Sequence, residues 1–245
     1  MSPQLTVVVT TYNYARFLAV CLDSILGQDF TEFEVVVLDN CSTDNTQQIM
    51  QSYVHDPRVS YVRHALNMSA MYNWNLALRS GSGRYFALIS ADDFVLPGHF
   101  SKLIRLLKDQ PHCVMAYTPL QRVDVDGNAV NAAPHAGYAR ASYAGDRDDQ
   151  AGLLAFGNYT AFTASIFDRR QLADDLFFDL DALGAGDLEF VIRLARKCRH
   201  FAFDAVASAC YRQHAAQHTT NDFYKTAEPL YGHMFLLENN LDSMS

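Results

Sequence analysis

Five short apolar runs alternate with four stretches of helical periodicity in the first half of the sequence, and this alternation constrains the fold more than any other feature. Residues 5–10 include the β-branched run Val7-Val8-Val9 and read as a buried strand. Similar runs occupy residues 33–38, 59–63, 85–89 and 113–117. Residues 14–28 place Phe17, Leu18, Cys21, Leu22, Ile25 and Leu26 at helical spacing. Residues 43–53 read as a helix with Ser42 or Thr43 as N-cap. Residues 70–79 form another, and residues 97–107 a fourth that starts at Pro97, where a missing N–H is tolerated. Such alternation predicts a mostly parallel sheet with helices on both faces. Ligands of such sheets bind beyond the carboxyl ends of the strands, where Asp39 and the pair Asp92-Asp93 stand.

After Tyr117 the pattern changes. Asp126-Gly127 predicts a hairpin over residues 121–131. Residues 134–149 read as a loop, 150–156 as a short helix, 162–167 as a strand and 187–197 as a helix. Residues 200–211 read mostly as strand, and 223–241 as a final helix. With 245 residues, 49% of them hydrophobic, the chain can build one domain with a full core. The division expected is a ligand-binding half over 1–118, a second half over 119–220 and a C-terminal helix over 221–245.

Charge narrows the partners. Lys and Arg number 19 against 27 Asp and Glu, a net charge of −8. That balance argues against sequence-independent nucleic-acid binding, which needs cations to neutralise phosphates, and against attachment to an anionic membrane by charge alone. The five cysteines form no CxxC pair and read as reduced thiols. No signal peptide is expected from Met1-Ser2-Pro3-Gln4, and no apolar run approaches the ~20 residues that span a bilayer. A cytoplasmic protein is expected.

Each candidate site residue has two readings. Asp39 ends a strand, where a carboxylate can accept a hydrogen bond from a base N–H or a ribose hydroxyl; equally, Asp39 and Asp44 suit a turn and an N-cap. Asp92 and Asp93 can share a divalent cation with substrate phosphates, or cap the next helix. Asp187 and Glu189 open a helix, where acids are favoured by the dipole alone. Arg212 can clamp phosphate and His214 can ligate a metal, although a lone histidine after a strand is more often a hydrogen-bonded structural residue.

The order of these motifs carries more than any one of them. From about Leu5 to Thr219 the sequence resembles the family 2 glycosyltransferases, which have the GT-A fold. Val7-Val8-Val9-Thr10-Thr11-Tyr12-Asn13 is similar to that family's first strand and T-Y-N turn. Leu22-Asp23-Ser24-Ile25-Leu26-Gly27-Gln28 is similar to its first helix. Val37-Leu38-Asp39-Asn40-Cys41-Ser42-Thr43-Asp44-Asn45-Thr46 resembles its V-x-D-(D/N)-x-S-x-D-x-T. Asn75-Leu76-Ala77-Leu78, then Gly83-Arg84-Tyr85, resembles N-x-(A/G)-L with G-x-Y, and Tyr211-Arg212-Gln213-His214 resembles a late Y-R-x-H.

The resemblance implies an α/β GT-A fold with a small acceptor-side lobe, and transfer of a sugar from a nucleoside-diphosphate sugar to an acceptor hydroxyl with inversion. Thr11 and Tyr12 would line the base pocket and Asp39 would bond the base. Asn13, Asn75, Ser90 and Ala91 fall in the same donor-nucleotide set. Asp92 would bind Mg²⁺ or Mn²⁺, with Asp93 beside it. His214 and Arg212 would face the diphosphate, His214 also as a metal ligand, and Asp187 would be the catalytic base. The acceptor would be a saccharide or lipid-linked saccharide, the latter met peripherally at the inner membrane face, in bacterial-type polysaccharide or glycoconjugate synthesis.

Two departures stand out. The family's D-x-D-D begins here with Ser90, which removes one negative charge from the metal site. No Q-x-x-R-W motif is present, which argues against a processive polymerase. Two alternatives remain open: a nucleotide-sugar-binding module without catalysis, which Ser90 allows, and a sugar nucleotidyltransferase. The latter normally has a Gly-rich basic loop where this chain has Thr10-Thr11-Tyr12-Asn13-Tyr14.

Overall fold

The computed structural model describes residues 2–130, 160–172, 176–197, 201–215 and 217. The expected helices over 150–156 and 223–241, and the loop over 134–149, lie outside these residues. The elements in chain order are β1 (Leu5–Thr11), α1 (Ala15–Leu26), β2 (Phe33–Asp39), α2 (Thr46–Met50), β3 (Val59–Arg63), α3 (Ala70–Leu78), β4 (Tyr85–Ser90) and β5 (Phe94–Val95). Then come α4 (His99–Asp109), β6 (Met115–Tyr117), β7 (Leu120–Val123), β8 (Ser165–Asp168), α5 (Gly186–Lys197), β9 (Phe201–Phe203) and β10 (Ala209–Arg212).

Seven strands form one mostly parallel sheet in the order β3-β2-β1-β4-β8-β6-β9, with β8 antiparallel to both its neighbours. Alternation along the strands divides the core. Val7, Val9, Val35, Val37, Ala87 and Ile89 point to one face and pack with Leu18, Leu22 and Ile25 of α1 and Phe100, Leu103 and Leu107 of α4. Val8, Val36, Phe86 and Leu88 point to the other face, against Met71 and Ala77 of α3 and Phe190, Val191 and Leu194 of α5. Strands buried on both faces read as continuous apolar runs, which is why β1, β2 and β4 are plain in the sequence.

Several expected elements differ in extent. Helix α2 is limited to Thr46–Met50, because Ser42 and Thr43 hydrogen-bond Asn13 in the neighbouring loop instead of capping a helix. Helix α4 starts at His99, since Gly98 interposes a left-handed turn (φ 80°) after Pro97. Phe162–Ala164 is a 3₁₀ turn ahead of β8. The stretch 200–211 divides between two sheets: β9 edges the large one, whereas β10 is the centre of a small sheet β5-β10-β7. The hairpin at Asp126-Gly127 forms, with Gly127 at φ 90° and a bridge from Val123 to Ala129. Cys21, Cys41 and Cys210 are free thiols, the Cys113 thiol donates to the Gln110 Oε1 at 3.5 Å, and Cys198 lies outside the described residues. Among the described residues no helix is long and apolar enough to cross a membrane.

One buried polar group makes stability pH-dependent. The His99 Nδ1 lies 2.7 Å from the Ser208 Oγ, and its Nε2 is buried without a hydrogen-bond partner. Burial, and then the Lys102 charge, depress its pKa to about 3 from an ordinary 6.5. The unfolded chain therefore binds a proton that the folded chain refuses. This contribution is fully present above the unfolded pKa and is lost as pH falls towards about 3. Between pH 7 and 5 it amounts to about 2 kcal/mol. Urea unfolding at both pH values is expected to show His99→Gln losing less stability than the parent by about that amount; identical pH dependence would contradict the assignment.

Candidate active site

The parallel register sets the site. Thr11 pairs with Asp39, Asp39 with Arg63, and Thr10 with Ser90, so four adjacent strand ends deliver their last residues to one sheet edge. The loops beyond β1 and β2 are stitched together. Asn13 (φ 57°) and Cys41 (φ 69°) both adopt left-handed conformations, which non-glycine residues enter only when their surroundings fix them. The Asn13 N–H donates to the Ser42 Oγ at 2.9 Å, and the Thr43 N–H to the Asn13 Oδ1 at 2.7 Å. The Asp44 carboxylate accepts from the Ala15 N–H at 2.9 Å, supplying α1 with an N-terminal anion from across the loop. Partial burial opposes its ionisation, but bonds from the Thr46 hydroxyl and the Ala15 and Thr46 amides hold the Asp44 carboxyl below its ordinary range.

Asp39 is fully buried. Its Oδ1 accepts from the Ser42 N–H at 2.8 Å, its Oδ2 from the Tyr61 hydroxyl at 2.6 Å, and the Arg63 Nε is 3.7 Å from Oδ2. Burial, the bond to Asp39 and that group's charge push the Tyr61 phenol upward, which keeps its proton available to donate. Each carboxylate oxygen has a second lone pair for a ligand. Nearby, the Thr11 hydroxyl is buried without a hydrogen-bond partner, a condition that a ligand group can relieve, and the Tyr12 ring is 41% exposed.

The loop after β4 holds the second cluster. The Asp92 Oδ1 accepts from the Ser90 hydroxyl at 2.5 Å, and its Oδ2 is 3.2 Å from the His214 Nε2. The His214 ring is seated against Phe17 and Tyr14, with centroids 4.6 and 5.6 Å away. Asp93 points elsewhere: it accepts from the Thr163 hydroxyl at 2.8 Å and from the Arg212 N–H at 3.1 Å. Burial, then the Asp92 charge, raise the Asp93 carboxyl well above its ordinary pKa. The Arg212 guanidinium is buried beneath the loop, donating to the carbonyls of Asp92 (2.9 Å) and Val125 (2.8 Å), between the rings of Phe17 and Phe94. Ala91 is fully buried.

The described residues contain no cluster of three or more His, Cys, Asp or Glu side chains able to hold a metal ion. A two-residue set is present. Asp92 Oδ2 and His214 Nε2 lie 3.2 Å apart, close enough that both would reach one cation. One carboxylate with an imidazole fits a cation whose other ligands come from a diphosphate and water. Ser90, where an acid was the alternative, makes the set less negative.

Two further expected residues bond the backbone. Both polar atoms of the Asn75 side chain engage the Phe178 backbone, at 2.8 and 2.7 Å. Asp187 is in the first turn of α5, where its Oδ1 accepts from the Leu188 N–H at 2.8 Å. Glu189 is turned to Arg193, bonding it at 2.5 and 2.9 Å. Tyr61, Arg63 and Thr163 were not singled out in the sequence. Arg63 ends β3 opposite Asp39, and Tyr61, two residues earlier and opposite Val37, lies on the same side of that strand; their alternate spacing in the run 59–63 is the signal that pairs them.

The family model for glycosyl transferase family 2 matches residues 6–167. The chain is 28% identical over 135 residues to the putative teichuronic acid biosynthesis glycosyltransferase TuaG of Bacillus subtilis, covering 55% of this chain and 53% of that protein. It is 36% identical over 93 residues to the poly(ribitol-phosphate) β-N-acetylglucosaminyltransferase TarS of Staphylococcus aureus, covering 37% of this chain and 16% of TarS. The chain thus spans about half or less of these relatives. The crystal structure of TarS residues 1–349 with UDP-GlcNAc superposes with a TM-score of 0.73 at 22% identity, over 90% of this chain and 61% of that one. It shares the GT-A fold.

Proposed function

Because the chain belongs to glycosyl transferase family 2, we propose that it transfers a sugar from a nucleoside-diphosphate sugar to an acceptor hydroxyl, with inversion at the anomeric carbon. The observation that carries this reading is the single sheet edge on which Asp39, Thr11 and the Ser90–Asp92 loop meet. Asp39 accepts the base N–H, the Thr11 hydroxyl gains the partner it lacks, and Tyr12 covers the base. Ser90 reaches the ribose. Arg212 acts through Asp92, whose carbonyl it holds. Asp92 and His214 would hold Mg²⁺ or Mn²⁺, and that cation would offset charge on the departing diphosphate. Asp187 takes the acceptor proton while the acceptor oxygen bonds to the anomeric carbon and the old C–O electron pair leaves with the diphosphate. The named activities of TuaG and TarS support polysaccharide or glycoconjugate synthesis as the setting.

The UDP-GlcNAc bound by TarS makes uridine diphosphate the first nucleotide to test. With Mn²⁺ present, UDP at ~100 times its Kd is expected to raise Tm by roughly 5–10 °C. Asp39→Ala is expected to lose a charge-assisted hydrogen bond, weaken binding about tenfold and about halve that shift. No shift with UDP, GDP or any other nucleoside diphosphate contradicts the proposal. Pyrophosphate release from UTP and a sugar 1-phosphate would instead favour a nucleotidyltransferase.

A further inference from the structure

We propose that helix α3 positions Asp187, with Asn75 and Gly186 as the positioning residues and Met71 as the surface on which Gly186 seats; this rests on reading Asp187 as the base. Met71 and Asn75 are four residues apart on α3 and so share a face. Both reach the segment that carries the base. The Asn75 Nδ2 donates to the Phe178 carbonyl at 2.8 Å, and its Oδ1 accepts from the Phe178 N–H at 2.7 Å. One amide thereby fixes a backbone unit 103 positions away, on the approach to α5. Met71 is buried and lies against Gly186, the first residue of α5 and the neighbour of Asp187.

The fit at Gly186 is close. A Cβ there would stand 2.2 Å from the Met71 Sδ, 3.2 Å from its Cε and 3.4 Å from its Cγ. Gly186 is not among the glycines with positive φ, so space and not backbone torsion requires it. Removing the Cβ lets α5 approach α3 more closely than any other residue would allow. The N-terminal end of α3, next to Met71, is also tied to the nucleotide loop. The Asn40 Nδ2 donates to the Asn67 Oδ1 at 2.8 Å and the Met68 carbonyl at 2.7 Å, and the Met68 N–H donates to the Asn40 Oδ1 at 2.8 Å. Asn40 follows Asp39. A single helix therefore connects the loop beside the base-reading carboxylate to the helix carrying Asp187. A general base must be held close to its productive position, and a displacement of ~1 Å can cost ~10² in rate.

The test uses the whole chain, with UDP-GlcNAc turnover read as UDP release and UDP affinity read by calorimetry. Gly186→Ala is expected to lower kcat by ~10² with UDP affinity changed by no more than about twofold. Met71→Ala in the same chain opens the space and is expected to recover most of that loss. Asn75→Ala is expected to lower kcat without changing UDP affinity. The steric premise is also read without any donor: Met71→Ala and Gly186→Ala are expected to be strongly non-additive in Tm. Should Gly186→Ala fail to fold, the double variant is compared with Met71→Ala alone; equal turnover supports the proposal and a ~10² deficit overturns it. Wild-type turnover in Gly186→Ala, or no recovery in the double variant, overturns it while Asp187→Asn is still inactive. Wild-type turnover in Asp187→Asn instead overturns the base assignment.

Discussion

Asp187→Asn is expected to lower kcat by ~10²–10⁴, the usual contribution of a positioned general base, with UDP affinity nearly unchanged. Asparagine keeps the size and shape of the side chain but does not accept a proton at catalytic pH. The split between kcat and affinity matters because the competing role for Asp187 is structural. It sits in the first turn of α5, where an acid is favoured by the helix dipole. Loss of a helix-start carboxylate alone would cost ~0.5–2 kcal/mol of stability and leave turnover intact. Glu189 is the internal control. It is buried and holds Arg193 one turn on, so Glu189→Gln is expected to appear in Tm and far less in kcat. Measuring both quantities for both variants separates the roles, and a stable Asp187→Asn protein with near-normal turnover would refute the assignment.

Asp92→Asn carries the second large effect. Both Asp92 oxygens are directed by neighbours, one by Ser90 and one towards His214. A bound cation supplies several kcal/mol of charge stabilisation as the diphosphate leaves, and each 1.36 kcal/mol is tenfold. Divalent-dependent turnover is therefore expected to fall by ~10² or more, along with the Mn²⁺ enhancement of UDP binding. Asp93→Asn is expected to act differently, because Asp93 is bonded to Thr163 and the Arg212 amide. Its loss should lower stability by loosening β10, with a smaller effect on metal response. If the wild-type protein keeps its full rate in EDTA, the cation has no place in the reaction.

The legibility of the site followed the physics of each part. Strands β1, β2 and β4 were readable because burial on both faces leaves little but apolar residues, and their ends located Thr11, Asp39 and Ser90–Asp93. The short helix α2 was overestimated because Ser42 and Thr43 look like caps in one dimension, whereas in three they bond to Asn13, 29 and 30 positions earlier. Strand β10 was foreseen, but its place beneath Asp92 and Asp93 depends on the small sheet β5-β10-β7, and Phe94–Val95 is too short to announce itself. Asn75 shows what motif reading leaves out. The sequence pattern places it in the donor-nucleotide set, and the fold adds that both polar atoms of its amide bond the Phe178 backbone. A long-range side chain–backbone bond has no local signature, and neither does the space that Met71 takes beside Gly186.

Proton NMR of the sugar first released from UDP-GlcNAc, recorded in Mn²⁺ before mutarotation, tests transfer and stereochemistry together. With water as acceptor and Asp187 as base, the α-linked donor is expected to give the β sugar first, and Asp187→Asn to give almost none. An α sugar as the first product, or equal release by the two proteins, would contradict inversion assisted by Asp187.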